Sequence, residues 1–248
     1  VSVTTPFMIG SEGPVSIRSA EGGRVMDFFG TEVPLESGLL TTASSGMASD
    51  AVVKDGVQVV RLPLPDELVV DDSVEMVVVP NAYELRKDPR RIVDAVVRLR
   101  EACGFGRLLC MLGIGEPSTV ALLSYMGVDV FDDSLPRAAG LEHVLLMPEA
   151  EVAMGDVVGA NIDYMVAELA KTRMFIEADR LRELADQRSF SSPSNVALLR
   201  LYDQNAYQYA EETCSTVGCR FSCNSTQALR RPDLKRYRDR MGSYRKPE

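Results

Sequence analysis

The chain has no tryptophan, a single histidine and five cysteines in 248 residues. An odd number of cysteines without an export signal is not a disulfide framework. No apolar run reaches about 18 residues, and no basic start followed by an apolar stretch and a small-residue cleavage site is present, so neither a membrane span nor a secretory leader is visible. The expectation is a soluble, cytoplasmic protein with no membrane contact. Positive charge is also scarce. Lys and Arg number 27 against 36 Asp and Glu, a formal charge of −9, which excludes a uniformly basic nucleic-acid binder. Internal repeats and low-complexity tracts are missing as well.

What is there is a globular composition. With 46% hydrophobic residues the chain can bury a full core as one large domain or two smaller ones. The charge is unevenly spread. Residues 230–248, "RRPDLKRYRDRMGSYRKPE", hold eight Lys or Arg against three acids, a net of +5, which leaves −14 on residues 1–229. A basic segment beside an acidic body is the pattern of a phosphate-docking tail, and equally of a solvated helix face.

Residues 1–56, rich in Gly, Ser and Thr, read as β-hairpins and loops. "VQVVRLP" and "SVEMVVVP" are β-branched runs stopped by proline, as buried strands are. The next segment offers Asp88 as helix N-cap, Pro89 at the first helical position, Ile92, Val96, Leu99 and Cys103 on one face, and Gly104 as stop. "RLLCMLG" follows as a strand, "EPSTVALLSYMG" as a helix opened by Pro117, and "VDVF" as a third strand. Short strands alternating with helices imply a parallel sheet, which "HVLLMP" is expected to extend. After Pro148 the pattern is helical: one long stripe over "GANIDYMVAELAKTRMFIEADRLRELADQ", a second helix behind Ser192-Pro193, and a third in "RRPDLKRYRDRMGSY".

Ligands of parallel α/β folds meet the carboxyl ends of the strands. Asn81, the "GIGEP" turn with Gly113 and Gly115, and Asp132-Asp133 fall at such ends. The turn is either an ordinary βα connection or a cradle for a phosphate or base. Adjacent carboxylates on an extended segment point to opposite sides, so one of Asp132 and Asp133 faces a pocket, while a helix-cap role stands beside a catalytic one. Cys214, Cys219 and Cys223 have no evident fourth ligand and fit no common metal spacing. His143, with no cysteine or second histidine near, has a structural role as its simplest reading.

The ordered string "LLCMLGIGEPSTVALLSYMGVDVFDDSLPR" resembles the tRNA-guanine transglycosylase family, with its Gly-x-Gly-x-Pro turn, a helix, "GVDMFD" and then Leu-Pro and Arg. Asp132 falls on the family's nucleophilic aspartate, Gly113, Gly115 and Pro117 on the turn, and Leu135, Pro136 and Arg137 on the segment after it. "NAYELRKDPRRIVDAVVRLREACG", "ALLSYMGVDVFDDSL" and the closing basic segment look more closely like the archaeal archaeosine synthase branch. That branch adds lysine across the nitrile of a cyano-deazaguanine in the tRNA D-arm, and a radical-SAM partner completes the amidine. The resemblance covers residues 57–248 well and residues 1–56 poorly.

The resemblance implies a reduced or distorted TIM-like (β/α) barrel in residues 1–150 and a helical region with a basic tail in 151–248. It implies a tRNA-modifying role, as the transglycosylase-like part of a transferase complex. Asp132 would be a nucleophile-equivalent or a base-orienting carboxylate. Asn81, Gly113, Gly115 and Asp133 would bind the base, and Arg137, Arg230, Arg231, Lys235, Arg236, Arg238 and Arg240 the tRNA. Departures limit this. "ASSGM" puts Ala43 where the family's general-base aspartate stands, and "PEAEVAMGD" replaces its zinc cysteines, so no metal or other cofactor is expected. The Pro-Cys-x-x-Lys-Pro-Tyr core and PUA domain of archaeosine synthases lie beyond the "YRKP" point, so a partner chain is expected to supply them. A homo-oligomer is compatible with the sequence. The alternatives are a non-catalytic subunit that stabilises a catalytic partner, and an unrelated α/β enzyme using Asp132 or Asp133 on a small molecule.

Overall fold

A computed structural model describes residues 2–20, 23–35, 52–104, 106–217 and 244–245. The first part is β-structured, as its composition implies: β1 (Ser2–Val3), β2 (Phe7–Ile9), β3 (Val15–Ala20), β4 (Gly23–Phe28), β5 (Thr31–Pro34), β6 (Val52–Lys54) and β7 (Val57–Val59). β3, β4 and β5 form an antiparallel meander. β6 and β7 are joined by Asp55-Gly56, both at positive φ (45° and 82°), the backbone that a two-residue hairpin turn requires.

The alternating part follows. β8 (Met76–Val79) leads through a 3₁₀ turn (Ala82–Leu85) to α1 (Pro89–Cys103), then β9 (Leu108–Met111), α2 (Val120–Met126), β10 (Val130–Asp132) and α3 (Ser134–Leu141). β11 (Val144–Leu146) and β12 (Glu151–Ala153) precede the helices α4 (Val158–Glu177), α5 (Leu181–Ser189) and α6 (Pro193–Val217), and β13 (Tyr244–Arg245) pairs with β1. α1 begins and ends as its sequence demands. The Asp88 side chain accepts the Arg91 N–H at 3.1 Å, Pro89 occupies the first turn, and Gly104 closes the helix at φ 63°.

The main sheet runs β2-β10-β9-β8-β7-β6, parallel throughout except for the β6–β7 hairpin. Its strands alternate between two cores. Val77, Val79, Leu109, Met111 and Phe131 face the helices, where Leu99 of α1, Tyr125 of α2, Met165 of α4 and Leu198 of α6 join them. Met76, Val78, Leu108, Cys110 and Val130 face the other way, against Met26, Phe28 and Val33 of the meander. Because both faces are covered, the central strands β8 and β9 are apolar at every position, not only at alternate ones. α6 packs on α1, α5 on α2 and α4 on α3, so the helices after residue 158 bury their stripes on the same layer.

Three expectations change. β11 does not extend the parallel sheet; it pairs antiparallel with β12 in a separate hairpin, because its apolar run specified burial but not a partner. α2 starts at Val120, not Pro117, since Glu116–Thr119 forms a turn in which the Glu116 carbonyl receives the Thr119 and Val120 N–H groups. The long stripe is two helices, broken where Asp179 adopts φ 59°. Residues 230–243 of the expected third helix lie outside the described residues, and Tyr244 belongs to β13. Among the described residues β2 and β6 each pair on one side only, so the sheet is an open one there. No helix among them is long and apolar enough to cross a membrane.

Candidate functional site

The carboxyl ends of β2, β8, β9 and β10 share one edge because those strands run in parallel. Gly10, Pro80-Asn81, the Gly113–Glu116 turn and Asp132–Ser134 meet there. Alternation decides which aspartate turns inward. Phe131 faces the helices, so Asp132 faces the meander side, and only 3% of it is exposed. Its Oδ1 accepts the Gly113 N–H at 2.6 Å, and the Ser134 hydroxyl bonds to the same carboxylate. Burial pushes the Asp132 carboxyl above its ordinary range; the Ser134 and Gly113 hydrogen bonds and the Arg24 charge oppose that rise, and Asp133 adds to it.

Arg24 comes from the meander. It lies on the same side of β4 as buried Met26 and Phe28, and its guanidinium donates to the Pro80 carbonyl at 2.9 Å, at the end of β8. Gly113 sits at φ 73°, and a Cβ there would stand 2.9 Å from the Tyr83 Cβ. The chain therefore needs glycine at this point for two reasons, the left-handed backbone and the close approach. Tyr83 is 58% exposed, which puts an accessible aromatic side chain at the rim of the turn.

Asp133 takes the opposite direction. It occupies the N-cap position of α3 and its Oδ2 accepts from Arg137 Nε at 2.6 Å. Arg137 is exposed. Asn81 is held structurally: its amide bonds to both backbone groups of Leu62, at 3.0 and 3.1 Å, and donates to Glu84 at 3.0 Å. Gly115 is packed between Met165 and Phe131, each 2.8 Å from a Cβ placed there, so it belongs to the helix-side core. His143 turns the chain at φ 60° between α3 and β11, with Nδ1 3.2 Å from the Gly155 carbonyl.

A cleft of about 570 Å³ opens on the helix side of the same turn, between Arg86, Glu116, Leu146, Glu151, Ser192 and Asn195. Asp132 is not in its wall. The β11–β12 hairpin holds most of "PEAEVAMGD", the segment where the resemblance would put the transglycosylase zinc cysteines. Its carboxylates are engaged instead, Glu149 with Arg188 at 2.9 Å and Glu151 with Arg86 at 3.3 Å, and it has no thiol. These residues do not fit a zinc ion, and no cluster of three or more His, Cys, Asp or Glu among the described residues is arranged to hold a metal. Ala43, Cys219, Cys223, Arg230, Arg231, Lys235, Arg236, Arg238 and Arg240 lie outside the described residues, and of Cys214 only the backbone, in α6, is described.

Arg24, Ser134 and Tyr83 were not singled out in the sequence. The alternation Arg24, Met26, Phe28 places Arg24 on the buried side of its strand, but nothing in it tells which sheet that strand covers.

Over 179 residues, 71% of this chain, the sequence is 29% identical to archaeosine synthase subunit alpha of Thermoplasma acidophilum. The chain is related to the archaeosine synthases. A second match, 25% identical over 194 residues and 69% of this chain, is the archaeosine synthase of Haloferax volcanii. The matches take in 35% and 33% of those two proteins, so the chain spans about a third of the length of the curated relatives it matches. No family model matches the chain.

Proposed function

We propose that this chain is the transglycosylase-like part of an archaeosine-synthase-type tRNA-modifying complex, acting in the cytoplasm on tRNA that carries a 7-deazaguanine base. One observation carries the reading. A carboxylate at the position of the family's nucleophile is held at the carboxyl end of a parallel strand by the Gly113 N–H and Ser134, with Arg24 facing it. The sheet then corresponds to a reduced barrel, five parallel strands closed over by the meander in place of the missing ones. Asp132 serves to accept N–H groups from the purine edge, and Tyr83 offers a stacking surface for the base. Lysine addition takes place on a catalytic core carried by another domain or chain, with a radical-SAM protein acting afterwards.

The test is reconstitution. The chain with its partner should modify tRNA containing the cyano-deazaguanine, and Asp132→Asn should lower that rate by at least about tenfold, the value of one lost charge-assisted hydrogen bond of roughly 1.5–3 kcal/mol. Unchanged modification by the variant sinks the assignment of Asp132. A second reading, a subunit that only stabilises its partner, draws on the burial of Asp132, which leaves 3% of it accessible. Co-purification with the partner but no tRNA binding by the isolated chain would favour that reading.

A further inference from the structure

The corner between the 3₁₀ turn and α1 carries "RKDPRR", residues 86–91, four cations in six residues of a chain with a net charge of −9. Arg86 is engaged with Glu116 at 3.0 Å and Glu151 at 3.3 Å. Lys87, Arg90 and Arg91 are exposed, and among the described residues their side chains make no ion pair. They stand at the amino end of a 15-residue helix whose first turn has no acidic residue. Cations at that end oppose the helix dipole, so helix stability does not account for them. The nearest acid, Asp88, is committed to capping the Arg91 N–H. Nor does the core account for them, since all three side chains are in solvent. Something anionic does.

Position indicates which anion. The turn rises directly from the carboxyl end of β8, and Tyr83 on it abuts Gly113, whose N–H holds Asp132. Arg86, Lys87 and Pro89 also form one wall of the cleft of about 570 Å³. Exposed cations beside an exposed aromatic, at the rim of a base-recognition site, match a single-stranded stretch of nucleic acid in which phosphates meet the cations and bases stack. We propose that Lys87, Arg90 and Arg91 form a docking surface for the sugar–phosphate backbone of the RNA that flanks the base brought to Asp132. This inference rests on the tRNA-binding function proposed above.

The full chain is tested with an unmodified tRNA transcript, by fluorescence anisotropy across a series of KCl concentrations. The Lys87→Gln/Arg90→Gln/Arg91→Gln variant should lower the slope of log K against log salt by about 2 to 3, at roughly 0.7–0.9 per phosphate contact, and weaken binding about tenfold or more at low salt. Its melting temperature should not fall, because the substitutions relieve charge at the positive end of α1. Arg180→Gln, which removes a surface cation paired with Glu183, should leave the slope as it is. An unchanged slope in the triple variant overturns the docking surface. So does loss of partner-chain binding with tRNA affinity intact, which would make the corner a protein contact. Failure of the unsubstituted chain to bind tRNA at low salt would instead remove the functional reading beneath it.

Discussion

Asp132 occupies surroundings that penalise the charge its proposed role requires. The raised carboxyl pKa means that the folded state holds the Asp132 proton more tightly than the unfolded chain does, whose ordinary value is 3.8. Its contribution to stability is therefore complete below 3.8 and is lost as pH rises through the folded value, so at neutral pH the ionised side chain is a cost. Asp132→Asn keeps an acceptor for the Gly113 N–H and removes the charge. That variant should melt higher than the unsubstituted chain at neutral pH, at about 2–4 °C per kcal/mol gained for a chain of this size, with the gap closing below 3.8. Calorimetry over a pH series checks this, and a lower melting point would mean that Asp132 is a structural carboxylate. That one of the adjacent aspartates Asp132 and Asp133 turns inward follows from strand alternation and was legible in the sequence. Which of the two turned inward was not, and neither was Arg24, because its approach depends on how one sheet docks on another.

Among the elements, local signals carried well where they are strong. Asp88-Pro89 and Gly104 bound α1 as their chemistry requires, and the β-branched runs at β7 and β8 and the apolar run at β9 are strands. Pairing partners were not legible. β11 has the apolar composition of a sheet strand but joins a hairpin, and Asp179 breaks a helical stripe whose periodicity continues through it. What joins α4, α5 and the β11–β12 hairpin is also invisible to periodicity. Arg188 binds Glu168 through two nitrogens, at 3.0 and 2.8 Å, with both side chains 8% exposed, and reaches Glu149 at 2.9 Å. Removing one partner of a buried pair strands the other charge. Arg188→Met should cost about 3–5 kcal/mol in urea denaturation, and adding Glu168→Leu should recover most of it, since an apolar pair needs no desolvation of charge. A double variant as unstable as the single one would show that packing, not stranded charge, sets the loss.

For the whole molecule the governing quantity is the distribution of charge. Residues 1–229 carry −14, which repels a polyanion, so any attraction for tRNA has to be local. Two local sources exist, the corner at Lys87, Arg90 and Arg91 and the +5 segment from residue 230 to 248. They are separate in sequence, and if they contact different phosphates their contributions to the salt dependence should add. Removing residues 230–248 should therefore lower the slope of log K against log salt on its own. Combining that deletion with the triple substitution should give the sum of the two decreases, leaving a chain whose remaining charge disfavours tRNA at every salt concentration. Anisotropy on the four proteins decides it. If the deletion alone removed all salt dependence, the tail would be the single docking element and the corner would have to be read as a solvated helix end; if it removed none, the tail would face a protein partner and tRNA recognition would reside in the body of the fold.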